Sequence, residues 1–408
     1  MPSVIGWLDQ SEEHQRKMRE VIDLFSESDA RDELGIAAVR DAFSDMLFPG
    51  LSTIQTRARY FFFVPWGFEE LEQRRTPSTR FADKSRELQT RLIFALIGSG
   101  ETQGVIGIEA QEKLKRLPDS VYWNGLWTFG IRKTPGNISD YQRGIDRYYR
   151  RLDAHRASET DETLERRPHN WHLGLPAAPE GWLDQSTLAL TGDEADFLRE
   201  RMVHADADSM LAWFLSAGGA IGDDHDTPWA LGTTAIDGVL GERLRHARYF
   251  SEMIWGAALL YNVMLAAEAK QRNLQSAGDG LEEHYRSLLD EWRAILADRW
   301  DDLSTVDRVQ FWSLVRKVNP NAEAARSFID SWLDLVHQSR GDLVESPMAR
   351  ELIADREYKL KRGMARLGNP RQLELWGGAA GVAQLVYRWG TVRTMVNDIV
   401  EGLADARS

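Results

Sequence analysis

Residues 52–66, STIQTRARYFFFVPW, constrain this chain more than any other stretch. Arg57 and Arg59 sit in a run that ends with Tyr60, Phe61, Phe62 and Phe63, between a Pro49-Gly50 turn and a Pro65-Trp66 stop. Ser52-Thr53-Ile54-Gln55 fits a capping box, in which the serine hydroxyl accepts from the N3 amide and the glutamine reaches back. The spacing therefore predicts a short helix over 53–64, ended by Pro65, which lacks an N–H and crowds the preceding turn. Ile54, Ala58, Phe61 and Phe62 form one apolar stripe on that helix, and Arg57 and Arg59 point to nearly opposite sides. At least one guanidinium must then lie against aromatic surface. Both arginines are expected to be internal or interfacial, paired with nearby acids such as Asp41 or Asp45.

Hydrophobic periodicity along the rest of the chain is overwhelmingly helical. It predicts helices at 11–27, 35–47, 83–97, 139–152, 237–272, 281–299, 304–317, 322–338 and 347–367, with a long last one near 371–403. Residues 121–131 add another near-helical run, and Thr191 opens a further helix. VIGI at 105–108 is too brief for a strand. The fold expected is predominantly α: two or three packed helical subdomains with little or no sheet. Residues 155–190 are polar and proline-bearing and read as a surface loop or linker. The expected division is an N-terminal helical domain over 1–154, that linker, and a C-terminal helical domain over 191–408.

The 408 residues include no cysteine, which excludes disulfides, zinc ribbons and thiol catalysis and suits a reducing cytosol. The N-terminus has neither a basic n-region nor an apolar h-region. The best apolar run, 253–267, is too short to span a bilayer and suits a buried helix, so no membrane partner is expected. Net charge is −13, which argues against a simple nucleic-acid coat. Its distribution is uneven: residues 1–150 carry −1, 151–345 carry −15 and 346–408 carry +3. The ends are thus free to present local basic faces. Fifteen tryptophans are a large share for a globular chain, and Trp213, Trp255, Trp292, Trp312 and Trp332 fall at helical spacing with aliphatic residues. They read as core anchors whose indole N–H groups need partners.

The blocks RDELG (31–35), LFPG (47–50) and STIQTRARYFFFVPW resemble the N-terminal signature of an uncharacterised bacterial protein family. YWNGLWTFGIRK (122–133), FWSLVRKVNP (311–320) and LWGGAAGVAQLVYRW (375–389) are similar to its later blocks. The resemblance implies a setting: gene clusters that encode helicases and phospholipase D-like nucleases in phage-defence islands. It implies no catalytic residues.

Three functions follow as expectations. The first is a non-catalytic subunit of an anti-phage defence assembly, holding helicase- and nuclease-type partners, with Arg57, Arg59, Tyr60, Trp66, Arg388 and Trp389 as interface residues. The chain has no P-loop, no nucleophile elbow and no duplicated H-x-K motif. GGAAG (377–381) lacks dinucleotide spacing and reads as a close approach of two helices. The second is direct nucleic-acid binding through basic helical faces. These are Arg143, Arg147, Arg150 and Arg151 beside Tyr148 and Tyr149, and a row of Lys359, Arg362 and Arg366 at i, i+3 and i+7. The third is a metal-dependent hydrolase. His169 and His172 in HNWH, with Asp224, His225 and Asp226 in DDHD, could supply hard ligands to a divalent metal. No other cofactor is expected.

Overall fold

A computed structural model describes residues 32–157, 168–230, 236–274, 278 and 280–405. The helix expected over 11–27 lies outside them. Among the described residues there are fifteen α-helices and no strand, so the fold is predominantly α. In chain order they begin with α1 (Ala37–Leu47), α2 (Tyr60–Gln73), α3 (Ser78–Gly98), α4 (Pro118–Thr128) and α5 (Ile138–Ala157). Next come α6 (Gly192–Ala205), α7 (Met210–Ala217), α8 (Gly238–Gln271), α9 (Leu281–Asp298) and α10 (Trp300–Ser304). The last are α11 (Arg308–Val318), α12 (Arg326–Ser339), α13 (Pro347–Lys361), α14 (Pro370–Leu373) and α15 (Trp389–Asp405). An isolated antiparallel bridge joins Arg132 and Trp171.

The chain forms two compact units, and each is assembled from separated segments. One ends at Phe43 and resumes over Glu242–Val386; the other is Ser44–Gly241 with the segment from Tyr387 onward. This partition differs from the consecutive domains 1–154 and 191–408 expected along the chain. The expected linker also belongs to a unit: Trp171, Trp182, Leu183, Leu188 and Leu190 are buried.

In the second unit α2 packs on α3 and α4, α3 packs on α5, and α15 lies along α6 and α7. The helix expected over 53–64 begins only at Tyr60 and runs through Pro65 to Gln73. Pro65 removes one hydrogen bond, the one its N–H would make to Phe61. Burial outweighs that loss, because the rings of the run pack against aromatic residues of several other segments. Phe61 packs edge-on against Tyr122 and Phe129, Phe62 meets Phe197, and Phe63 stacks on Trp182. Farther along, Phe68 sits among Phe81, Trp123, Tyr141 and Trp171. Residues 52–55 form a turn that keeps half of the expected capping box: Ser52 N donates to Gln55 Oε1 at 3.1 Å.

The first unit is organised around α8. By length and composition that helix could cross a membrane, but most of its apolar stretch is buried inside the protein. Trp292, Trp332 and Trp255 donate to the carbonyls of Glu252, Met253 and Val382 at 2.7–2.9 Å, and Trp312 donates to Asp330. Trp213, in the second unit, is 36% exposed and is the exception among the tryptophans read as anchors. Gly256 lets the Trp292 ring lie on the helix backbone, since a Cβ there would stand 2.3 Å from the ring.

The long helix expected near 371–403 is not continuous. Residues 374–388 are irregular, and their backbone groups are satisfied by side chains instead of by a helix ladder. Asn262 of α8 accepts from Ala380 N–H and donates to Ala380 C=O, both at 2.8 Å. Ser251 donates to Leu385 C=O at 2.8 Å, and Tyr285 donates to Gly378 C=O. GGAAG is therefore part of a peptide strip laid on α8, not a contact between two helices.

The RDELG block also belongs to this unit. Asp32 accepts from the N–H groups of Ile36 and Ala37 at 2.7 and 2.9 Å and so starts α1. Gly35 takes φ +67° under Arg356 and Leu360, where any Cβ would collide. Glu33 is buried against Lys361 and Arg366.

Candidate functional site

Residues 52–59 have no regular secondary structure, so their backbone and two cations need other partners. All of those partners lie in the second unit. Tyr122 OH accepts from the N–H groups of Thr56 and Arg57 at 2.9 and 3.1 Å and donates to Arg57 C=O at 2.8 Å. Asp398 of α15 accepts from Arg57 Nε at 2.9–3.0 Å, from its Nη2 at 2.8 Å and from Ala58 N–H at 2.8 Å. Arg59 lies over the Phe63 and Trp66 rings, its Cζ 5.6 and 5.9 Å from their centroids. It donates to Thr187 C=O at 3.0 Å and to Glu194 Oε1 at 2.9 Å. Glu194 also completes the capping box of α6 with Thr191. The partners of Arg57 and Arg59 are thus Asp398 and Glu194, not Asp41 or Asp45, because folding brings distant helices closer than chain neighbours.

The other residues expected at an interface are internal as well. Tyr60 is fully buried and accepts from Ile106 N–H at 2.9 Å; Trp66 is 1% exposed and donates to Pro176 C=O at 2.7 Å. Arg388 donates to Asp45 and to Leu51 C=O at 2.7 and 2.6 Å. Trp389 is 2% exposed and donates to His225 C=O at 2.6 Å. These six side chains join segments of one unit to one another. Beside them, a cleft of ≈ 440 Å³ is lined by Arg59, Trp182, Gln185 and Thr187. Its one cation already faces Glu194.

The histidine regions do different work. Among the described residues no three His, Asp or Glu side chains come together as a metal-binding group. His169 and His172 are therefore not assembled with Asp224, His225 and Asp226 into one. His172 Nδ1 lies 3.1 Å from Gly174 N–H, and its Nε2 lies 3.3 Å from Arg201. Burial, then the Arg201 and Lys133 charges, push its pKa down. The 222–226 turn instead supplies its backbone to α15: Asp223 C=O accepts from Arg393, as His225 C=O does from Trp389.

The two basic faces part company. Arg143, Arg147, Arg150 and Arg151 are all exposed on α5. Arg143 pairs with Asp140 in the preceding turn. Tyr149 is buried and does not join that face. The other row is broken, because α13 ends at Lys361 instead of near 367. Arg366 then folds back onto Glu33 at 2.9 Å, leaving Lys359 and Arg362 exposed.

Sequence reasoning missed the carboxylates. Glu72 on α2 accepts from Trp171 Nε1 at 2.9 Å, from Asn170 at 3.2 Å and from the Tyr141 hydroxyl. Burial raises its pKa against those hydrogen bonds. One turn earlier, burial and then the Glu72 charge push Glu69 up to about 7. The i, i+3 spacing of the two acids was visible in the sequence, but nothing local shows that Asn170 and Trp171 close over Glu72. Arg132 was likewise missed. It is sandwiched by Trp123 and Trp127, its Cζ 4.4 and 5.1 Å from their centroids, and burial lowers its pKa to about 10.

A family model described as "Family of unknown function (DUF6361)" matches residues 2–406, and the chain belongs to that family. No curated protein and no solved structure matches it.

Two measurements test this site. Arg59→Met leaves Glu194 buried beside apolar rings without its cation and is expected to cost about 3–5 kcal/mol in denaturant unfolding. Adding Glu194→Gln should recover part of that loss; simple additivity of the two changes would contradict an ion pair at this position. For Glu69 the folded pKa is about 7, above the ordinary value of 4.5. Its contribution to stability is therefore full below 4.5 and lost as pH rises through 7. Glu69→Gln should flatten the fall in unfolding temperature between pH 5 and 8, and an unchanged slope would show that Glu69 titrates normally.

Proposed function

We propose that this protein is a non-catalytic, cytosolic subunit of a bacterial anti-phage defence assembly, holding partner proteins of the helicase and phospholipase D-like nuclease kinds. The observation that carries the reading is how the chemically capable side chains are used. Arg57, Arg59, Asp398, Glu194, Glu33 and Glu357 bind the chain's own segments together. Large apolar side chains, by contrast, stand in solvent: Trp127 is 45% exposed, Tyr358 66% and Met364 61%. Aromatic residues and methionine at a surface suit contact with other proteins. The defence setting is supported by the resemblance of the signature blocks, and the cytosolic location by the cysteine-free composition.

Co-expression with a helicase and a phospholipase D-like nuclease from a phage-defence cluster is the direct test. Co-elution as one complex on size exclusion is expected, together with loss of phage protection when this subunit is deleted. Separate elution with protection intact would overturn the reading.

A second reading has its own observation. Arg143, Arg147, Arg150 and Arg151 fall within about 100° of one another around α5 and span about 12 Å along it. Such a row can meet successive phosphates of a nucleic-acid backbone. Arg147→Glu with Arg151→Glu should then weaken duplex binding and reduce its salt dependence. Unchanged binding would remove α5 from consideration.

A further inference from the structure

The end of α13 is held firmly, yet the side chains of Tyr358, Lys359, Arg362 and Met364 stand exposed there. Arg362 follows the last helical residue at φ 50° and ψ −121°, where any residue with a Cβ is strained. Glu357, fully buried, keeps the turn in that shape by accepting from the N–H groups of Arg366 and Leu367 at 2.9 and 3.0 Å. The Tyr261 hydroxyl and the Lys361 ammonium donate to the same carboxylate. Asn369 clamps the far side by donating to Gly363 C=O at 3.2 Å. Strain kept in place by several such bonds points to a purpose for the exposed groups.

Those groups are Tyr358, Lys359, Arg362 and Met364. Tyr358 and Met364 are 66% and 61% exposed, and both cations are exposed. Among the described residues neither Lys359 nor Arg362 forms an ion pair. We propose that this turn binds single-stranded nucleic acid, with a base on the Tyr358 ring beside Met364 and neighbouring phosphates on Lys359 and Arg362. An exposed ring can stack only on a base that is not already stacked in a duplex. Two cations on one turn match neighbouring phosphates of a single strand, a smaller footprint than a duplex-binding face. The inference goes beyond the scaffold reading and stands without it. It shares with the α5 reading only the class of ligand.

The test uses the full chain and fluorescein-labelled oligothymidylate of about 20 nucleotides, with a duplex of equal length, at about 50 and about 200 mM salt. The single strand should bind more tightly than the duplex, and less tightly at the higher salt. Tyr358→Ala should weaken it about tenfold while Tyr358→Phe retains it, as stacking requires. Arg362→Gly should weaken binding and yet raise the unfolding temperature, because glycine relieves the strain. A role in folding alone would not move those two readouts in opposite directions. Single-strand binding that survives Tyr358→Ala and a Lys359→Glu/Arg362→Glu pair overturns the proposal. If that binding is lost in the α5 variant instead, this proposal fails and the α5 reading stands; no binding by any form sinks both. Equal competition by polyglutamate would assign the turn to acidic proteins and also overturn the proposal.

Discussion

A buried charge must find a counter-charge and a full set of hydrogen bonds, and the second unit is arranged around that requirement at Arg57 and Arg59. Residues 52–59 cannot satisfy themselves through a helix ladder. Tyr122, Asp398 and Glu194 do it for them, and in doing so fix α4, α15 and α6 around the start of α2. The aromatic run that follows can then be buried ring by ring, and burial of this kind carries α2 past Pro65. The arginines and the aromatics are therefore one device: the ion pairs set the position at which the rings pack.

The first unit solves the same problem with neutral groups. Residues 374–388 give up helical hydrogen bonds, and Asn262, Ser251, Trp255 and Tyr285 replace them from the side. Each such bond contributes little net stability when made, and leaving it unmade would be costly. Polar side chains of α8 and α9 thus select one position for the strip. Glu357 does comparable work with a charge, holding the turn after α13 through two backbone N–H groups. In both units a buried polar side chain stands where regular secondary structure stops.

This economy bears on function. The arginines of the signature, Arg57 and Arg59, and the acids they meet, Asp398 and Glu194, are committed to joining segments of the chain itself. Among the groups left outside are an arginine row on α5 and a strained turn carrying Tyr358, Lys359 and Arg362. Both are recognition chemistry in character, and both sit on helical segments stiff enough to present fixed geometry. Membership of a family of unknown function adds no activity of its own, so these exposed groups are where experiment has most to learn.

The helical class, most of the helix positions, and starts such as Asp32 and Thr191 were legible because caps and the 3.6-residue period depend on residues within a turn or two. The requirement that an arginine lie on aromatic rings was legible for the same reason, and Arg59 meets it. Which acid each arginine would find was not. Arg57 and Asp398 are 341 positions apart, and no local pattern encodes that meeting. The continuation of α2 through Pro65 and the break before α15 were decided in the same way, by burial against distant segments that outweighs local propensity. The elevated pKa of Glu69 likewise needed the folded chain, since burial is a property of what packs over a residue. The sequence by itself determined that this is a helical protein with a charged aromatic signature; tertiary packing decided that the signature faces inward.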